Sequence, residues 1–253
     1  MTEPRPLALI TGGMRRVGAF IAMKLARHGY DLALSTHQEG DIKPLLVDTL
    51  SKTQVRWHGF VADLSDPAAC LPLMDQVAAH FGRMPDLLVN NAAIFGQDDW
   101  PSMDAQTLES HFRLNTFAPL LLSKALVAKA EEGKRPAIVH ILDQRITNPH
   151  GDQISYTLSK QALAVSVRSM ASAFGARARV NGVAPGLVIS TPDYNRALEA
   201  RLADMMPLGA LAGPEAVADA VHYLAGAGNV TGQIVFVDGG AHLKSFDRDF
   251  MYL

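Results

Sequence analysis

LALITGGMRRVGAFIAMKLARHGY, residues 7–30, carries the pattern that decides the fold. Residues 7–11, after Pro6, form a short continuous apolar run typical of a buried parallel strand. AFIAMKLARHGY has the apolar spacing of an amphipathic helix and ends at Gly29. GGMRRVG lies between them. Strand, glycine turn and helix in that order bring backbone amides close to an anion at a helix N-terminus, where unpaired N–H groups and the helix dipole favour negative charge. Thr11, Gly12, Val17 and Gly18 are therefore candidates to surround a pyrophosphate, and Arg16 adds a guanidinium.

Working outward, apolar runs at 31–36, 55–64, 86–96, 137–142, 177–186 and 232–240 read as further strands. Helical stretches fall at 43–52, 67–81, 105–133, 155–175 and 213–226, and Asn115 and Pro119 interrupt the third. No linker or repeat divides them. The pattern predicts one doubly wound α/β domain of Rossmann type over residues 1–253, with a seven-stranded parallel sheet and helices on both faces. Residues 187–207, polar and punctuated by proline, read as a substrate loop or lid containing a short helix near 195–206.

With 48% apolar and 19% charged residues there is ample material for a core, which excludes a disordered chain. Twenty-five acidic against 23 basic side chains leave no global field for nucleic acid or an anionic membrane. Cys70 is the only cysteine and sits on an apolar helical face, so no intrachain disulfide can form. The start lacks a signal-peptide pattern, and no apolar run is long enough to span a bilayer. A soluble cytoplasmic protein is expected.

The ends of the strands carry the polar residues. A nucleotide-binding unit commonly places a carboxylate after its second strand, but here Ser35, Thr36, His37 and Gln38 stand there and leave room for a 2′-phosphate. Together with Arg16 this favours NADPH over NADH, with Glu39 and Asp41 nearby as opposing charges. Asp63 and Leu64 end the third strand, where a carboxylate can accept from an adenine amino group. Asn91 and Ala92 follow the fourth strand, and Pro185 and Gly186 the sixth. Asn115, on the buried side of its helix, needs a hydrogen-bond partner. His140, His150, His222 and His242 are scattered without ligand spacing, so surface or capping roles are expected and no metal is implied.

DQRITNPHGDQISYTLSK, residues 143–160, holds the reactive groups. Tyr156 and Lys160 are four residues apart and share a helix face, with Asp143 at the end of the preceding strand. A free tyrosine titrates near pH 10, and a neighbouring ammonium lowers that value, which makes Tyr156 a candidate general acid.

With these residues in place, the chain resembles a classical short-chain dehydrogenase/reductase over essentially its whole length. The resemblance is carried by TGGMRRVG (11–18), Asp63, NNAA (90–93), Asn115, YTLSK (156–160), VNGVAPG (180–186) and VDGG (237–240). Two departures narrow it: Arg16 replaces the middle glycine of T-G-x-x-x-G-x-G, and Asp143 replaces the usual serine. Both resemble the pteridine reductase branch, which includes bacterial dihydromonapterin reductases. Phe95 sits where that branch stacks a phenylalanine on the pterin, whereas Ala93 departs from its frequent NNAS.

The resemblance implies hydride transfer from NADPH to a C=N bond of a dihydropterin of the dihydromonapterin, dihydrobiopterin or dihydrofolate type. In that reading Tyr156 donates the proton. Lys160 tunes it and binds the nicotinamide ribose, and Asn115 holds the helix and a water on the proton path. Phe95, Asp143 and Tyr156 meet the substrate. A carboxylate repels a developing alkoxide but can accept from ring donors or, when protonated, relay a proton, so Asp143 favours an imine over a ketone. Asp143 could also cap a helix or pair with Arg145, and strand alternation lets only one of Gln144 and Arg145 face a substrate. A carbonyl reductase and a non-catalytic nucleotide-binding regulator stand as alternatives. The family also implies a homotetramer built on the two long helices, and the tail, residues 241–253, is a candidate to pack on a neighbouring subunit.

Overall fold

The computed structural model describes residues 4–40, 42–188 and 195–253. The first strand, β1 (Leu7–Thr11), is wholly buried and runs through a glycine turn into α1 (Arg16–Arg27). β2 (Asp31–Thr36), α2 (Pro44–Thr53), β3 (Trp57–Val61) and α3 (Cys70–Phe81) complete the first half. The second half begins with β4 (Leu87–Asn90), followed by α4 (Ala105–Phe112), a five-residue π-helical segment (Arg113–Phe117) and α5 (Ala118–Lys129). Then come β5 (Ala137–Ile141), α6 (Ile154–Phe174), β6 (Arg179–Pro185), α7 (Arg196–Met205), α8 (Pro214–Gly226) and β7 (Ile234–Val237).

All seven strands are parallel, in the order β3-β2-β1-β4-β5-β6-β7. A parallel sheet must be covered on both faces. Here α1 and α8 pack on one face over Ile10, Leu32, Leu34 and Val89. On the other face α3, α5 and α6 pack over Leu7, Leu9, Leu88 and Ile138. Strand order reverses between β1 and β4, so a crevice opens beyond their carboxyl ends, the usual binding place in an open α/β sheet.

The expected single α/β domain is present, and several local expectations change. The helix expected over 105–133 with an interruption at Asn115 and Pro119 is interrupted there by a π segment, and it stops at Lys129 rather than 133. A π turn frees backbone groups that a regular helix would pair, and it is common at functional sites. Residues 196–205 form the short helix expected inside the 187–207 loop, while 189–194 and Asp41 lie outside the described residues. The tail, a candidate to pack on a neighbouring subunit, folds back on its own chain, with Phe250 buried against Leu202 and Met206. No helix among the described residues is long and apolar enough to cross a membrane.

Candidate active site

The glycine turn is built for close approach. A Cβ on Gly18 would lie 2.2 Å from the Gly12 carbonyl oxygen, so only glycine lets α1 begin this close to the strand. Thr11 locks the switch point, its Oγ1 accepting from the amides of Asn91 and Ala92, both at 2.9 Å. Asn91 returns the link, donating Nδ2 to the carbonyls of Thr11 (2.9 Å) and Gly12 (3.2 Å). Arg16 has φ +48°, a left-handed conformation that costs a non-glycine residue about 1–2 kcal/mol. The exposed Arg16 is thus held at the mouth of the crevice.

A cavity of about 700 Å³ fills this crevice. Its lining includes Gly12, Arg15, Arg16 and Val17 from the glycine turn, Asn91 and Ala92 after β4, and Pro185 and Gly186 at the end of β6. Phe95, Asp143, Tyr156 and Lys160 line it too, with Gln97, Gln144, Arg145, Leu187 and Val188. Ser35, Thr36, His37, Asp63 and Leu64 lie outside it, at the ends of β2 and β3. Leu64 is a core residue and Ser35 is buried, which removes the Ser35 side chain from a 2′-phosphate role. Thr36 donates its hydroxyl to the Gln38 carbonyl (3.0 Å). Asp63 Oδ1 accepts from the amide and hydroxyl of Ser65 (3.0 and 2.6 Å) and lies 3.2 Å from His37 Nδ1. Arg15 was missed: a Cβ on Gly40 would sit 2.6 Å from its Nη2, so its guanidinium, not that of Arg16, lies across the loop after β2.

At the reactive end, Tyr156 donates its hydroxyl to Asp143 Oδ2 at 2.9 Å, while Asp143 Oδ1 caps the following turn by accepting from the Arg145 amide at 2.9 Å. The capping role weighed for Asp143 is thus filled by one oxygen, and the other meets the Tyr156 hydroxyl. Burial raises its pKa above the ordinary carboxylate value, against the pull of Arg145 and Tyr156. The expectation that Lys160 lowers the tyrosine pKa does not hold in the free protein. Burial first, and then the Asp143 charge, push Tyr156 well above 10, so it remains a phenol. Lys160 Nζ donates to the Ile141 carbonyl at 2.8 Å and lies 5.8 Å from the Tyr156 ring centroid; burial lowers its own pKa to about 8.

The π segment fixes Asn115 behind this pair. Its amide bridges both backbone groups of Ile94 (2.9 and 3.0 Å) and donates to Ser159 Oγ at 3.0 Å, supplying the partner its burial demanded. The Ile94 loop thereby presents Phe95, which is 53% exposed, lines the cavity and meets the Tyr156 ring edge to face at 4.7 Å. Gln144 and Arg145 both line the cavity because residues 144–146 form a 3₁₀ turn rather than a strand, so alternation does not apply. His140 and His150 are buried rather than superficial. His140 contacts Asn90 at 3.1 Å, and burial beside Lys160 lowers its pKa to about 3, so it is neutral.

Comparison with known proteins places this arrangement. A family model described as enoyl-(acyl carrier protein) reductase matches residues 13–242. Pteridine reductase 1 of Leishmania tarentolae is 30% identical over 280 residues, covering 94% of this chain and 96% of that protein. The 3-oxoacyl-(acyl-carrier-protein) reductase FabG of Pseudomonas aeruginosa is also 30% identical, over 251 residues, covering 94% and 98%. Among solved structures, FolM alternative dihydrofolate reductase 1 from Brucella canis, complexed with NADP, superposes with a TM-score of 0.86 at 30% identity, covering 94% of this chain and 95% of that one.

Proposed function

The chain belongs to the short-chain dehydrogenase/reductase family, and from that premise we propose that it is an NADPH-dependent reductase of a dihydropterin, giving the tetrahydropterin. The observation that carries this reading is the buried Asp143–Tyr156 pair, at 2.9 Å, beside the exposed face of Phe95.

The residues present fit a dinucleotide. Gly12 lines the crevice, where its missing side chain leaves backbone to face a pyrophosphate, Gly18 lets α1 start close behind it, and Arg16 also lines the crevice. Val17, Asn91, Ala92, Pro185 and Gly186 would flank the pyrophosphate and nicotinamide, and Lys160 would hold the nicotinamide ribose. Arg15, Thr36 and His37 would meet the 2′-phosphate, and Asp63 and Leu64 the adenine end. When bound, the nicotinamide supplies the hydride.

The protein's own task is to hold a flat ring and deliver one proton. Phe95 offers an aromatic face to a heterocycle. Asp143 and Tyr156 share a proton-bearing hydrogen bond, and the raised carboxyl pKa lets Asp143 hold a proton closer to neutrality than an exposed carboxylate can. The ring nitrogen reduced at its C=N bond takes its proton from this pair, with Tyr156 as donor and Asp143 as relay. Asn115 fixes the Phe95 loop against α6, and Lys160 lies behind the tyrosine.

A ketone reductase is the second reading, favoured by the equal identity to a 3-oxoacyl reductase. It is opposed by Asp143, because an ionised carboxylate destabilises a neighbouring alkoxide. The family reading extends to a homotetramer through α5 and α6, on whose approaches Phe117 and Val165 are exposed, and to residues 187–207 as the substrate loop. Purified protein with NADPH and a panel of dihydropterins, dihydrofolate and 3-oxoacyl thioesters tests the assignment. Turnover of dihydropterins, abolished in Tyr156→Phe with NADPH affinity retained, is the expected result. Turnover of ketones alone sinks it.

A further inference from the structure

The carboxyl-terminal segment returns to the mouth of the cavity, where Asp249, Phe250 and Met251 form part of its lining. It is held by a buried charge network. Arg145, only 2% exposed, donates Nη2 to Asp249 Oδ2 at 2.6 Å and to His150 Nε2 at 2.9 Å, and its Nη1 reaches Thr157 Oγ1 at 3.3 Å. Asp152, which pairs with His150, accepts from the Asp249 amide at 2.7 Å. Asp249 Oδ1 in turn caps the final 3₁₀ turn by accepting from the Met251 amide at 3.0 Å.

The tail is also fastened to the loop that carries Phe95. Gln97 donates Nε2 to Met251 Sδ at 3.1 Å, and its Oε1 accepts from the Tyr252 hydroxyl at 3.2 Å and from Gln153 Nε2 at 3.0 Å. From below, Phe250 packs on Leu202 and Met206 at the α7 side. A buried ion pair is a poor source of net stability, because desolvation offsets the attraction. Its value lies in geometry. The Arg145 amide donates to Asp143 while the Arg145 guanidinium grips Asp249, so a single residue touches both the Asp143 carboxylate and the tail.

We infer that this tail is a specificity wall of the chain's own substrate pocket, in which Asp249 is a positioning residue acting through Arg145 and Met251 is the side chain that selects substrates by size. The inference rests on the proposed function only in taking the cavity as the place where substrate binds. A thioether is flexible and polarisable and packs well against aromatic rings, which suits it to close a pocket whose other wall is Phe95. In the pterin reading the occupant is a planar heterocycle whose side chain would run toward the tail.

The test measures kcat and KM at saturating NADPH for two dihydropterins with a short and a long side chain, in wild type, Met251→Ala, Asp249→Asn and Asp249→Glu. Met251→Ala is expected to move the kcat/KM ratio of long to short substrate by about tenfold toward the long one, the usual worth of one apolar contact in a pocket. Asp249→Asn should raise KM by about tenfold with a smaller change in kcat, Asp249→Glu should recover most of it, and NADPH affinity should not move. An unchanged ratio in Met251→Ala, or parallel losses of NADPH affinity, kcat and fold in Asp249→Asn without recovery in Asp249→Glu, overturns the inference. If Asp249→Asn does not fold, Met251→Ala decides alone. Should the wild type reduce ketones and no pterin, a short and a long 3-oxoacyl thioester replace the two pterins, so failure of the pterin reading leaves this test intact. Activity on neither class removes the substrate pocket and the wall with it.

Discussion

Replacing Asp143 with asparagine keeps the shape of the side chain and the oxygen that accepts from the Arg145 amide, but removes the charge beside Tyr156. Two anions at the observed 2.9 Å would repel by about 6 kcal/mol at an effective dielectric of about 20, or roughly four pKa units. The pair therefore gives up only one proton over any accessible pH. Asparagine cannot exchange a proton, so dihydropterin kcat should fall by the 10²–10⁴ typical of a lost general acid, with NADPH affinity unchanged. The same substitution has a stability signature. Burial raises the native pKa of Asp143 above its unfolded value of about 4, so as pH rises through that interval the unfolded chain releases its proton first. Ionisation then favours unfolding, and wild type loses stability that the variant keeps. The Tm of Asp143→Asn should exceed that of wild type by a margin that opens as pH rises from about 4 and is constant above the native pKa. Steady-state loss of NADPH fluorescence and thermal denaturation across pH measure the two effects. A kcat within about twofold of wild type, or a Tm gap that does not widen with pH, would refute the reasoning.

Arg15→Ala should weaken NADPH binding by about tenfold or more, the worth of a hydrogen bond to a charged group, and leave NADH within about twofold; equal losses for both cofactors in titration would place Arg15 away from the 2′-phosphate. Lys160→Met should abolish turnover yet stabilise the cofactor-free protein at neutral pH. The native lysine titrates near 8 against about 10.4 unfolded, so below pH 8 the buried ammonium costs about 3 kcal/mol, and this cost fades as pH rises from 8 to 10.4. The unpaired Ile141 carbonyl gives back about 1–2 kcal/mol, leaving a small net gain in Tm, and a clear loss at pH 7 would contradict the burial argument.

The fold was legible because its signals are local. Most strands are short apolar runs and most helices carry apolar residues at helical spacing, and β1 and β2 have the bounds read from the sequence. The glycine turn was legible for the same reason, since a Cβ at Gly18 meets backbone whatever the rest of the chain does. Spacing puts Tyr156 and Lys160 on one helix face and Asn115 is polar on a buried one, but the roles expected of them came from the family resemblance. An interruption at Asn115 was read, but not its π geometry or the two bonds from Asn115 to Ile94, a contact across 21 residues. Arg15 and Arg16 are adjacent, and sequence alone could not tell which would swing over the β2 loop.

The Tyr156 pKa failed to follow from spacing for an electrostatic reason. One helical turn between tyrosine and lysine fixes their distance but not the desolvation of the site, and here burial and Asp143 outweigh the ammonium. The same limit applies to the tail. Residues 241–253 show aromatic and charged residues without periodicity, and Asp249 acquires meaning only through Arg145, 104 positions earlier. A buried arginine that follows directly on a reactive strand end must find a carboxylate, and neighbouring Asp143 is already engaged by Tyr156. That demand could have been stated from sequence; which carboxylate meets it required the fold, and the answer carries the chain's last turn to the edge of the pocket.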